Sequence, residues 1–145
     1  MSTRKEFTVN NFKKYIYKRC LEHCRNTEQS NYFVDYLFNN KEEWECFLCK
    51  TNLIEIGQNN KIYMNYDTII DHYHINNKGK GPIRGLLCKS CNIKEGKINA
   101  DIINGISFNN LINKYKINYG KYFMNNIELY YSSRGGIWPM DTSED

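Results

Sequence analysis

Two Cys-x-x-Cys pairs, Cys46/Cys49 in "CFLC" and Cys88/Cys91 in "CKSC", constrain this chain more than any other feature. Each pair can present two thiolates to one ion from a tight turn. Two such pairs complete a closed tetrahedral four-sulfur site of the kind that suits structural zinc. The gap between the pairs is longer than in a short zinc ribbon, so something substantial is inserted between them. With sulfur in all four positions no place remains for water, so zinc here holds the fold and leaves catalysis to other groups. Unligated thiols or disulfides are the alternatives. A redox dithiol fits less well, because no thioredoxin-like βαβ pattern surrounds either pair.

The chain has 145 residues, which suits one domain with a modest core. No apolar run approaches the roughly 20 residues that span a membrane, so no membrane partner is expected. The N-terminal "MSTRKEFTVNNF" has basic residues but no apolar signal core. The expected setting is intracellular, in cytoplasm or nucleus, where reducing conditions work against three disulfides from the six cysteines. A net charge of +4 permits a polyanionic partner without requiring one. Asn, Ile, Lys and Tyr are common, as an A/T-rich genome would make them, and carry no functional inference.

Residues 10–25 place Phe12, Tyr15, Ile16, Arg19, Cys20, His23 and Cys24 at helical spacing. That stripe reads as an amphipathic helix with Cys20 and Cys24 as small fillers, and a second metal site from Cys20, His23 and Cys24 as the alternative. Residues 31–45 predict a second helix, capped by Ser30 or Asn31, burying Phe33, Val34, Leu37 and Phe38. "NLIEIGQNNKIYMNYDTII" holds two β-prone runs around a Gly-Gln-Asn-Asn turn and leads into "DHYH". "INNKGKGPIRG" reads as a basic loop too polar for the core. "LLCKSCNIKEGKIN" has room to start a helix. "NNLINKYKI" and "YGKYFMNNIELYY" carry helical periodicity, and the tail after them holds turn residues and acids.

Two of the three histidines sit in "DHYH". On a strand His72 and His74 share one face while Asp71 and Tyr73 share the other. A bend or bulge is needed to bring Asp71 beside His72. Asn92 follows the last cysteine directly, so a metal at the cysteines would fix its aim. An Asp carboxylate and an Asn carbonyl are hard oxygen ligands that suit Mg2+ or Mn2+. A neutral imidazole near its ordinary pKa of about 6.5 can take a proton from water. These are the minimum parts for metal-assisted hydrolysis of a phosphodiester.

"DHYH", "GPIRGLLCKSCN" and the following "KEG", with the upstream "CFLC", resemble the recombination endonuclease VII family. That family is a zinc-containing branch of the HNH, or ββα-metal (His-Me finger), nucleases. The resemblance covers roughly residues 31–132 and is most specific over 46–96. It implies that Cys46, Cys49, Cys88 and Cys91 hold structural Zn2+. Asp71 and Asn92 match the ligands of catalytic Mg2+ or Mn2+, and His72 matches the general base. His74 matches the motif's second histidine, near the scissile phosphate, and Glu95 an acidic residue near the active site. It also implies DNA as substrate, with Holliday junctions and other branched DNA among the options, and a homodimer as one possible state. A phage or other viral origin fits the same resemblance. The N-terminal segment is longer than in the family's phage resolvase, and the chain ends soon after "YFMNNIELYY".

The expected fold class is α+β: a zinc-stapled ββα nuclease core flanked by helices. The segments are an N-terminal helical part (1–45), the core (46–96), C-terminal helices (97–132) and a tail (133–145), together one domain. Arg84, Lys89 and Lys94 are expected to contact DNA, with Lys78, Lys80 and Lys97 completing a basic rim. Most of the twelve tyrosines are expected in or near the core, and Trp138 folded back on its own domain. A metal-dependent DNA endonuclease is the first expectation. The alternatives are a homing- or restriction-type nickase of the same chemistry and a catalytically silent zinc module that binds nucleic acid.

Overall fold

The computed structural model describes residues 4–24, 26–72 and 83–134. His74, Lys78, Lys80 and Trp138, for which the sequence raised expectations, lie outside the described residues. In chain order come β1 (Arg4–Phe7), α1 (Val9–Cys24), α2 (Thr27–Asn39), a 3-10 turn (Lys41–Trp44), β2 (Ile54–Ile56), β3 (Ile62–Asn65), β4 (Thr68–His72), β5 (Ile83–Cys88), α3 (Lys89–Ile103), α4 (Phe108–Tyr119) and α5 (Lys121–Arg134). The fold is mixed helix and sheet, as expected. Among the described residues no helix is long and apolar enough to cross a membrane.

Helix α1 follows its periodicity. Phe12, Ile16 and Cys20 recur every four residues and are buried, and Thr8 Oγ1 accepts from the Asn11 amide at the helix start. Helix α2 begins earlier than expected and ends earlier too. Its cap is Asn26, whose side chain accepts from the Gln29 amide at 2.8 Å, rather than Ser30 or Asn31. Ser30 instead lies inside the helix, buried, with its hydroxyl bonded to the Asn26 carbonyl. Phe33, Val34 and Leu37 are buried as anticipated. The buried Gln29 side chain accepts from the Ile83 amide at 2.6 Å, tying α2 to the start of β5.

Two small sheets form. One has the order β1-β3-β2, antiparallel throughout. Strand β1 was not foreseen, because four residues of alternating exposure leave little pattern to read. The other sheet pairs β4 with β5, setting Thr68 opposite Cys88 and Asp71 opposite Gly85. The run expected as one strand into "DHYH" is two, β3 and β4, broken at Tyr66 and Asp67. The register of the second pair shifts between Asp71 and His72, which pair with Gly85 and Ile83, so the extra residue of the bulge is Arg84 on β5.

Strand β5 corrects the loop reading of "IRG". Ile83, Arg84, Gly85, Leu86 and Leu87 are all buried. Helix α3 follows β5 without a linker, and the Cys88 sulfur caps it by accepting from the Cys91 amide at 3.4 Å. Helices α4 and α5 are separated by Gly120 at φ 88, a left-handed position that glycine adopts without penalty. One apolar cluster joins Phe12 of α1, Leu37 of α2, Leu86 of β5, Ile98 of α3 and Tyr130 of α5.

Candidate functional site

The four cysteines converge. Their sulfurs all lie within 4.8 Å of one another, with Cys49 and Cys88 at 3.8 Å. Zinc–sulfur bonds of about 2.3 Å in a tetrahedron set the sulfurs roughly 3.8 Å apart, whereas a disulfide would need about 2.05 Å. The spacing therefore fits a shared ion. The Cys91 thiol, bonded to the Cys46 sulfur, holds Cys46 down at about 4 against the opposing effect of burial. The same bond pushes Cys91 up. Backbone bonds from Cys46 to Thr51 and from Lys50 to Cys46 close the first knuckle, and the Phe47 amide docks it on the Leu86 carbonyl at 3.1 Å. Together these sulfurs could hold a metal such as zinc.

A second cluster lies under β4, β5 and α3. Asp71, Arg84 and Glu95 are 4%, 4% and 3% exposed. The Arg84 guanidinium bridges both acids, Nε to Asp71 Oδ2 at 2.8 Å and Nη2 to Glu95 Oε2 at 3.1 Å. Arg84 is therefore not the exposed member of a basic rim that its glycine- and lysine-rich surroundings suggested. Burial works against its charge, but Asp71 and Glu95 outweigh burial and raise its pKa. Burial also pushes the Glu95 carboxyl up, with Arg84 opposing.

Two consecutive residues of α5 complete the cluster. The Tyr130 hydroxyl donates to Asp71 Oδ2 at 2.7 Å, and the Tyr131 hydroxyl to Glu95 Oε2 at 2.8 Å. Both rings lie beside the Arg84 cation, at 5.2 and 5.5 Å. The sequence reading missed both roles, because twelve tyrosines hide two. A usable signal was Arg84 itself, a charge among the apolar residues of "IRGLL" that had to find partners.

His72 is half-buried at the end of β4, and its ring stacks on His23 of α1, centroids 4.5 Å apart. The sequence placed His23 in an apolar stripe or, alternatively, in a second metal site with Cys20 and Cys24, and not beside His72. Asn92 is half-buried in the first turn of α3, one turn before Glu95 and on a neighbouring side of the helix. Lys89, Lys94 and Lys97 border an open cleft of about 450 Å³ with Tyr119. At 100° per residue Lys94 and Lys97 face away from Asn92, with Lys89 between. The Lys94 ammonium lies 5.4 Å from each of the Tyr119 and Phe123 rings.

These features define a mixed helix-and-sheet protein with a four-sulfur cluster that could hold a metal, joined through one helix start to a buried acid–arginine cluster. Residues 21–116 match the family model of recombination endonuclease VII, and the chain belongs to that family. Membership makes it a nuclease of the recombination endonuclease VII type, with DNA the substrate class the family implies. No curated protein and no solved structure matches the chain significantly. The matched span holds the four cysteines, Asp71, His72, Arg84, Asn92 and Glu95. Helix α5, with Tyr130 and Tyr131, lies beyond it.

Proposed function

We propose that the protein is a metal-dependent DNA endonuclease of the HNH type that hydrolyses phosphodiester bonds with Asp71, His72 and Asn92 at the reacting centre. The observation that carries this is the arrangement of β4, β5 and α3: β4 ends in Asp71 and His72 and pairs with β5, which runs directly into α3 and its Asn92. Strand β4, strand β5 and helix α3 would then form a ββα-metal core, with zinc in the cysteine cage as its staple.

The donors fit two different ions. Four sulfurs suit zinc and leave no open position. Asp71 and Asn92 offer hard oxygens that suit Mg2+ or Mn2+. Among the described residues, both hydrogen bonds to Asp71 fall on Oδ2 and none on Oδ1. Two carboxylates also face a single guanidinium, so with both ionised the cluster keeps one negative charge that favours a cation. Bound there, Mg2+ or Mn2+ would stabilise the charge that develops on the phosphate and its leaving oxygen. His72 takes a proton from the attacking water, the water oxygen bonds to phosphorus, and the bond from phosphorus to a sugar oxygen breaks. His74 would sit near the phosphate. Lys89, Lys94 and Lys97 would contact the nucleic-acid backbone, where cations supply affinity without sequence choice. A silent binding module is the weaker reading, since a buried Asp–Arg–Glu network is costly to build and adds nothing to phosphate contacts.

The test is cleavage of matched linear, nicked and four-way-junction DNA with Mg2+ or Mn2+. Brief chelation that spares zinc should stop cutting, and either ion should restore it. Asp71→Ala should stop cutting with zinc content unchanged. Loss of zinc in parallel with activity would refute the two-metal assignment. Preference for the four-way junction, with a dimer in solution, would assign resolvase function; equal cutting of linear DNA would assign a nickase.

A further inference from the structure

We propose that Tyr130 and Arg84 are a positioning pair for Asp71, which makes helix α5 part of the active site although it lies beyond the residues shared with the family model. The inference rests on the endonuclease reading of Asp71. Its own foundation is geometric. Both groups donate to the same oxygen, Oδ2, at 2.7 and 2.8 Å, so the carboxylate cannot rotate without breaking two bonds. Its other oxygen, Oδ1, is thereby aimed in one direction. The bonds join a charged group or a hydroxyl to a carboxylate inside a buried cluster, where each is stronger than at a surface.

The pair is itself held. Tyr130 is fully buried, and its ring packs 4.9 Å from that of Phe47, which lies between Cys46 and Cys49. Its hydroxyl end stands over Gly85, the residue opposite Asp71 in the β4–β5 ladder. Arg84 is locked from its other end by Glu95, which Tyr131 holds in turn. The cysteine cage thus reaches Asp71 by a second route besides β5, through Phe47 and Tyr130. A helix that only covered the core would need Tyr130 as an apolar ring and would have no use for its hydroxyl at the carboxylate.

The experiment is Tyr130→Phe, which keeps the ring and removes one bond. Mn2+ affinity is read by titration without DNA, and cleavage is read as kcat and KM. The expected result is Mn2+ binding weakened roughly tenfold and kcat lowered by a similar factor, with the KM for DNA unchanged. On an Asp71→Asn background Tyr130→Phe should cost no further Mn2+ affinity, because its effect runs through Asp71. Tyr122→Phe, on the exposed side of the same helix, should leave both readouts unchanged. Should Tyr130→Phe fail to fold, Arg84→Lys supplies the same readout, since one ammonium cannot hold Oδ2 and Glu95 together as the guanidinium does. A Tyr130→Phe protein that loses thermal stability but keeps wild-type Mn2+ affinity and kcat would overturn the proposal and leave a packing residue. If the wild type itself neither binds Mn2+ nor cuts DNA, the endonuclease reading fails and this inference falls with it.

Discussion

Asn126 on α5 donates its side-chain amide to the backbone carbonyl of Leu48, 2.9 Å away, inside the first cysteine knuckle. Four residues further along α5, on the same side of the helix, Tyr130 bonds to Asp71. One helix face thus touches both the four-sulfur cage and the buried carboxylate. The cage fixes the start of α3 through Cys88 and Cys91, and α5 fixes what lies beneath it.

Removing one sulfur should therefore be felt across the whole site. Structural zinc sites contribute about 10–16 kcal/mol in small peptides, comparable with the 5–15 kcal/mol stability of a whole domain. Cys88→Ser should lose its metal, melt far below the wild type and lose cleavage. Elemental analysis should find one zinc per chain in the wild type and far less in the variant. Well-folded, active protein without zinc would rule the cage out as a staple.

Gly85 should resist substitution. It sits opposite Asp71 at φ 156, a backbone conformation that residues with a Cβ rarely adopt. A Cβ there would meet Tyr130 only at ordinary contact distance, 3.6 Å, so the cost comes from the backbone and not from crowding. Gly85→Ala should destabilise by about 1–3 kcal/mol and disturb the register that presents Asp71. Denaturant unfolding checks the first effect. An unchanged midpoint would mean the strand relaxes freely.

Much of this arrangement was legible in the residues. The cysteine spacing announced the cage, since few other constraints bring two such pairs together. Helix α1 could be read from its four-residue repeat, whereas the bulge that strand alternation suggested at Asp71 and His72 has its extra residue on the opposite strand, at Arg84. The misses share one physical cause, burial of groups that composition assigns to the surface. Arg84 lay between a lysine-rich loop and an apolar run, and its local company favoured the loop. Only its ion-pair partners, Asp71 13 residues upstream and Glu95 on α3, make its burial tolerable. The His23–His72 stack joins α1 to β4 across 49 residues, and no local pattern encodes it.

His72→Ala should keep fold, zinc and DNA binding while lowering the cleavage rate by roughly 10²–10⁴, the usual cost of losing a general base. The wild-type rate should also fall in acid, because a protonated ring cannot accept a proton. The variant also loses the stacked partner of His23, so a small drop in thermal stability is expected. Cleavage at the wild-type rate would remove His72 from the mechanism.

Glu95 gives a pH-dependent stability with a defined sign. Burial raises its folded pKa above the ordinary 4.5, with Arg84 only partly opposing. Below that ordinary value both folded and unfolded chains hold the proton, and Glu95 costs nothing. As pH rises past it, the unfolded chain ionises first and the folded chain still holds its proton, so stability declines until the folded carboxyl ionises as well. Glu95→Gln cannot ionise and can still accept from Tyr131, so it should lack this decline. The urea midpoints of variant and wild type should be compared at a series of pH values from about 4 to 8. The cage loses metal in acid in both proteins, so the difference between the midpoints isolates Glu95. That difference should move in favour of the variant as pH rises. A difference that moves the other way would mean that the ion pair with Arg84 outweighs burial and holds the folded carboxyl below its unfolded value.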